Sequence, residues 1–281
     1  MTGMSAAPGT EDLLVAFPTN GVAVLTLNRP HALNAMTPDL LATLTAEVAR
    51  LGHHDALHAL VITGAGRAFS AGGDMHALQA MSTAEQGPYL NSYAVLHETI
   101  ADSDVPVIAA LNGHAFGGGL EVACMADARI VDPSARLCVG DIALGLVPTG
   151  ALTWKLPRLI GEGRARWLAL SNETLSAAQA VEIGLCNVLA EPGQSVAAAV
   201  ALATKIGMHP RHAAAHIRQA FEQAARGDRD ESAAFEVTAN LECLQHPDTI
   251  RAVTEFFTPD AARSRRADVA NSPEVENEIQ P

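Results

Sequence analysis

A run of nine residues, Gly113-His114-Ala115-Phe116-Gly117-Gly118-Gly119-Leu120-Glu121, constrains this chain more than any other stretch. It follows a short β-branched apolar segment, Val105 to Leu111, and leads into a helix-like stretch, Leu120 to Ala126. Three consecutive glycines cost conformational entropy and pack nothing themselves. They are tolerable where something must approach the backbone closely, and here they fall where a helix begins. The first N–H groups of a helix have no intrahelical partner, and the macrodipole makes that end partly positive. With Glu121 close behind, the run fits an oxyanion site with an acid–base group beside it. A tight strand-to-helix turn followed by a surface glutamate fits the same residues equally well.

The rest of the chain sets the frame. Its 281 residues can bury a real core, and 48% hydrophobic with 17% charged residues excludes broad disorder. A net charge of −13 argues against non-specific nucleic-acid binding and against anionic membranes. An anionic ligand would need a local cluster of cations or backbone N–H donors. No signal-like start or bilayer-length apolar stretch is present, and Cys124, Cys138, Cys186 and Cys243 lack paired spacing. The expectation is a cytoplasmic protein with reduced thiols and no metal site.

Leu13 to Phe17 and Val22 to Leu27 flank Pro18-Thr19-Asn20-Gly21 and read as a hairpin. Thr37-Pro38-Asp39 opens an amphipathic helix to about Leu51, with Thr37 as N-cap. His58 to Thr63 reads as a buried strand, Glu85 to Asp102 as a helix, and Ala128 to Val131 and Leu137 to Val139 as short strands. From Gly163 onward the pattern is almost wholly helical. Strands alternating with helices, then helices alone, predict an α/β domain with a helical C-terminal extension.

A second glycine-rich turn runs from Gly64 to Asp74. It is not a dinucleotide fingerprint, because Phe69 stands where the third glycine is required. Gly72-Gly73 instead forms a second place where backbone N–H groups are bare. Two such turns can supply one donor each to a single carbonyl oxygen. Asp74 is expected to fix its own turn. His53-His54 reads as a solvated helix end, and His76 and His114 as packing or surface residues.

Taken in order, these motifs resemble the enoyl-CoA hydratase/isomerase (crotonase) family. They are Asn28-Arg29-Pro30 with Ala32-Leu33-Asn34-Ala35, Phe69-Ser70-Ala71-Gly72-Gly73-Asp74, and Asn112 to Glu121. Gly145-Leu146-Val147-Pro148, Leu156-Pro157-Arg158-Leu159-Ile160-Gly161 and Leu175 to Leu185 continue the likeness, which covers roughly Val15 to Asn187.

The resemblance implies an α/β fold, a crotonase-like spiral of ββα turns with a helical C-terminal region that builds homotrimers or dimers of trimers. On that basis residues 1–12 are a leader, 13–205 the spiral core, 206–259 the helical region and 260–281 a mobile tail. It implies an acyl-CoA thioester, coenzyme A entering as part of the substrate, with no tightly bound cofactor. The thioester oxygen would lie between the N–H groups of Gly73 and Gly118. CoA would run along Ala32-Leu33 and from Ala71 through Asp74 to Met75, with Arg29 nearby. Glu121 and Asp141 hold the places of the two hydratase glutamates, Glu121 as base toward water and Asp141 as acid toward the α carbon. Asp141 is one methylene shorter, which sets its oxygens about 1 Å back; as an alternative it simply caps the segment that follows.

This chain also departs from the family pattern. His31 and His76 replace common lysines, leaving Arg29, Arg67 or Arg263, Arg265 and Arg266 to meet CoA phosphates. Thr149 stands where the ring-epoxide isomerase branch has Asp, which disfavours that chemistry. A double-bond isomerase using one carboxylate, or an acyl-CoA-binding homologue without turnover, are the other readings.

Overall fold

The structure, a computed structural model, describes residues 11–257. Most of the expected leader, and the expected tail with Arg263, Arg265 and Arg266, lie outside the described residues. Contacts divide the described chain into two compact units, one reaching Glu222 and one starting at Gln223.

The first unit opens with the expected hairpin, β1 (Leu13–Thr19) and β2 (Val22–Leu27), antiparallel with an irregularity between Ala16 and Thr19. Helix α1 (Pro38–Gly52) follows, capped as expected by Thr37, whose side chain accepts the Leu40 N–H at 3.2 Å. Then comes β3 (Ala59–Gly64), β4 (Ala68–Ser70), α2 (Met75–Ala80) and α3 (Thr83–Asp102). The same rhythm returns with β5 (Val107–Leu111), β6 (His114–Phe116) and α4 (Gly118–Met125). It returns again with β7 (Ala128–Val131) and β8 (Arg136–Cys138).

After the opening hairpin, each of the pairs β3/β4, β5/β6 and β7/β8 sends one strand to each of two sheets. The larger sheet has the order β1-β2-β3-β5-β7-β10, and the smaller has β4-β6-β8-β9. Strands β3, β5 and β7 are parallel to one another, as are β4, β6 and β8. This is a spiral, and its pitch stacks equivalent residues of successive turns.

Downstream lie α5 (Leu152–Ile160), α6 (Glu162–Ser171), β9 (Leu175–Ser176), α7 (Ala177–Glu182), β10 (Val188–Leu189), α8 (Ser195–Ile206) and α9 (Arg211–Arg226). From Gly163 the described chain is almost wholly helical, as expected, with two refinements. Helices already begin at Leu152, and β9 and β10 interrupt the run. Two-residue strands carry no periodicity; they form because β8 and β7 offer edges to pair with. The second unit holds the last residues of α9 together with α10 (Arg229–Gln245) and α11 (Pro247–Phe256).

The larger sheet is buried on both faces, so β3 reads as continuous apolar sequence rather than alternation. Leu60 and Ile62 enter the main core with Leu25, Leu44 and Phe69. Ala59 and Val61 point the other way, against Ala199 and Ala203 of α8. Asn34, fully buried, donates to the carbonyls of Ala65 and Ala68 at 2.9 and 2.8 Å and so fixes the β3–β4 turn.

Candidate active site

The small sheet determines what meets at the site. Because β4, β6 and β8 run parallel and side by side, the segments leaving their C-terminal ends emerge together. Those segments are Ala71-Gly72-Gly73, Gly117-Gly118-Gly119 and Val139-Gly140-Asp141. The first two touch. A Cβ on Gly72, which has φ +96°, would stand 2.7 Å from the Phe116 carbonyl oxygen and 3.0 Å from the Gly118 nitrogen. One on Gly119 would collide with the Ser70 carbonyl. Glycine is required here by close approach as well as by backbone conformation.

Two backbone donors are left at this junction. The bridge between Met36 and Gly73 uses the Gly72 carbonyl and the Asp74 N–H, so the Gly73 N–H takes no part in it. Gly118 is the first residue of α4, where an N–H has no carbonyl one turn earlier in its own helix.

The turns open onto a cavity of about 540 Å³. Ala71, Gly73, Met75, Gly118, Glu121 and Asp141 all line it, so the structure brings together six of the residues singled out in the sequence. Tyr89 and Tyr93 of α3 and Leu146 to Thr149 complete much of its wall. Arg29, Ala32, Leu33 and Asp74 are not among the lining residues, and neither are His76 and His114. Asp74 caps α2 by accepting the Ala77 N–H at 3.0 Å and pairs with Arg29 at 3.1 Å. The Ala77 N–H above all, and then Arg29, hold its carboxyl below the usual range despite burial. Arg29 also donates to the Ala35 carbonyl at 2.5 Å. His53 ends α1 beside Asp104, as a helix end should.

Glu121 is only 2% exposed. Thr149 meets both its oxygens: the backbone N–H donates to Oε1 at 2.6 Å and the hydroxyl to Oε2 at 2.7 Å. Burial raises the Glu121 pKa to about 7, with Thr149 opposing the rise and Asp141 adding to it. Asp141 opens a 3₁₀ turn, Asp141–Leu144, for which Gly140 supplies the N-cap position at φ +85°. Its Oδ2 is buried without a hydrogen-bond partner, and burial raises its pKa, opposed by its own backbone N–H.

A family model described as enoyl-CoA hydratase/isomerase matches residues 18–258. The chain belongs to that family. It is 34% identical over 237 residues to a short-chain-enoyl-CoA hydratase of Clostridium acetobutylicum, covering 84% of this chain and 91% of that protein. Over 237 residues it is 31% identical to a crotonyl-CoA hydratase of Syntrophomonas wolfei, with the same coverage of each. Among solved structures, an enoyl-CoA hydratase of Bacillus anthracis superposes with a TM-score of 0.84 at 28% identity, over 87% of this chain and 95% of that one. DspI of Pseudomonas aeruginosa superposes with a TM-score of 0.86 at 31% identity, over 90% and 97%. The crotonase-like spiral expected from the sequence is the fold observed.

Within this hydratase/isomerase frame, the sequence reading missed three side chains of the cavity. Tyr89 and Tyr93 lie one turn apart in the stretch read only as helix; their i, i+4 spacing was the available signal. Thr149 reads in the sequence only as a departure from the family pattern, and nothing local reveals that it faces a glutamate 28 residues earlier.

Proposed function

We propose that this protein adds water reversibly across the double bond of a 2-enoyl-CoA thioester, giving a 3-hydroxyacyl-CoA. The observation that carries the reading is the meeting of Glu121 and Asp141 in one cavity with the two glycine turns. In this reading the thioester oxygen accepts hydrogen bonds from the N–H groups of Gly73 and Gly118, which stabilise the enolate as charge moves onto that oxygen. Glu121 takes a proton from water as the water oxygen bonds to C3. Asp141, in its acid form, delivers a proton to C2 as the enolate collapses. Net, one water is added, and the pair returns to its starting protonation when the proton moves from Glu121 to Asp141.

The chemistry needs one proton on two carboxyls. Burial raises both pKa values, that of Glu121 to about 7 with the Asp141 charge adding to the rise, and hydration runs from the arrangement in which Asp141 holds the proton and Glu121 is ionised. Thr149 orients Glu121 so that its remaining lone pairs can address water. The CoA portion would run along Ala71 to Met75 toward Ala32-Leu33. The named hydratases of Clostridium and Syntrophomonas support the substrate class.

We place the protein in a homotrimer or dimer of trimers. Val237, Leu241 and Leu244 form an exposed apolar stripe on α10 at helical spacing, and Ile250, Val253 and Phe257 form another along α11 and its end. Surfaces of that kind favour burial in an assembly.

The test is incubation with crotonyl-CoA and longer 2-enoyl-CoA thioesters, following loss of the conjugated enoyl absorbance and gain of one water by mass. Turnover on at least one thioester is expected; none across the series contradicts the reading.

A further inference from the structure

The wall of the cavity holds a polar group that the proposed chemistry does not use. Tyr93 is 2% exposed and lines the cavity, yet its hydroxyl has no hydrogen-bond partner. Leaving a buried hydroxyl unpaired destabilises a fold, so a native site that keeps one calls for a ligand atom to meet it. The neighbouring Tyr89 hydroxyl differs: it donates to the Met36 carbonyl at 2.6 Å and accepts the Asp74 N–H at 3.0 Å.

The position of the Tyr93 hydroxyl is well defined. A Cβ built on Gly118 would lie 2.6 Å from it, and one built on Gly73 would lie 3.5 Å from it. The group therefore stands against both glycines, Gly73 and Gly118, that line the cavity. The ring is held in place by an edge contact with Tyr89, centroids 6.2 Å apart. Its Cβ sits 3.3 Å from the Cβ position of Gly150, which Glu121 Oε2 approaches to 3.7 Å. Tyr93 thus spans the distance between the two glycine turns and the carboxylate.

We propose that the Tyr93 hydroxyl is a third hydrogen-bond donor to the thioester oxygen, beside the N–H groups of Gly73 and Gly118. The proposal deepens the hydratase reading and rests on its placement of the thioester. A phenol suits the role, because it keeps its proton: burial first, then the charges of Tyr89 and Glu121, the nearby Tyr89 hydroxyl and the charge of Asp141 raise its pKa well above the ordinary tyrosine value. It donates without transferring the proton, and the interaction strengthens as the enolate forms.

Tyr93→Phe removes the hydroxyl and keeps the ring. Because that hydroxyl has no partner in the protein, the variant should unfold at the same temperature as wild type or above it. The decisive readout is a chromophoric aminocinnamoyl-CoA thioester, whose absorption moves to the red as its carbonyl is polarised. Wild type should shift it, and Tyr93→Phe should bind it with similar affinity and shift it less. With a hydrated substrate, kcat should fall on the order of 10²-fold, the scale for loss of one oxyanion donor. An equal red shift in variant and wild type overturns the assignment of Tyr93, whatever the turnover. Lack of hydration by wild type contradicts the hydratase reading instead, and the spectral comparison still decides the role of Tyr93.

Discussion

Thr149 holds both carboxylate oxygens of Glu121, its N–H on Oε1 at 2.6 Å and its hydroxyl on Oε2 at 2.7 Å. Position 149 follows the exposed Leu144 to Val147 segment, so a loop residue sets the geometry of a carboxylate anchored on α4. A hydrogen bond to a charged group contributes about 1.5–3 kcal/mol. Thr149→Val keeps the N–H and the shape but loses the hydroxyl. We expect kcat to fall by roughly 10- to 100-fold with KM little changed, and the Glu121 pKa to rise, since Thr149 opposes that rise. Thr149→Ser should restore both kcat and the pH profile. An unchanged profile in Thr149→Val would show that the hydroxyl does not position the base.

The shared proton predicts a bell-shaped pH dependence. The active form carries one proton on the Glu121–Asp141 pair. It is lost to double protonation on the acid side and to full ionisation above about 7, the two steps belonging to the pair, within which the reactive arrangement has Asp141 protonated and Glu121 ionised. The kcat/KM profile, which reports the free enzyme, should therefore decline on the alkaline side from near pH 7. A profile flat well into the alkaline range would contradict a proton-sharing pair.

The same shift has a stability consequence. The Glu121 pKa is raised from 4.5 to about 7 on folding, so its contribution is fully present below the unfolded value and is lost as pH rises through about 7. At pH 8 the buried charge costs the folded state about 3 kcal/mol. Glu121→Gln does not titrate. Urea unfolding should show this variant gaining stability relative to wild type as pH is raised from 5 to 8. A constant difference across that range would mean that the burial of Glu121 does not carry the shift.

Arg29 and Asp74 form a latch at the edge of the site, and the latch can be told from a CoA contact. Asp74→Ala removes the cap of α2 and should cost about 1 kcal/mol in stability. Both partners are partly exposed, so their mutual coupling in a double-mutant cycle should stay below about 1 kcal/mol. If Arg29 is only a latch, Arg29→Ala lowers stability with KM for the thioester unchanged. A large rise in KM, reversed with a dephosphorylated CoA analogue, would place Arg29 on the phosphates.

Much of this was legible in the sequence. The glycine run after an apolar strand marks the start of α4, and Thr37-Pro38 marks the start of α1, because caps and glycines act locally. The buried strands β3 and β5 show as apolar runs for the same reason. The short strands β4 and β6 read as turns in the sequence, since three residues carry no period and their pairing is set by neighbours more than 20 positions away. Separation along the chain also hides Thr149 from Glu121, 28 positions apart, and Tyr93 from Gly118, 25 apart. Those contacts exist only because the spiral stacks equivalent turns, and no spacing along the chain encodes them.

The account stands most directly on the two carboxyls acting together. The measurement is crotonyl-CoA hydration by wild type, Glu121→Gln and Asp141→Asn, paired with the Kd of each for the thioester. We predict hydration by wild type, a loss in each single variant on the order of 10²- to 10⁴-fold, and thioester affinity kept in both. Full hydration by Glu121→Gln, or by Asp141→Asn, would contradict the account.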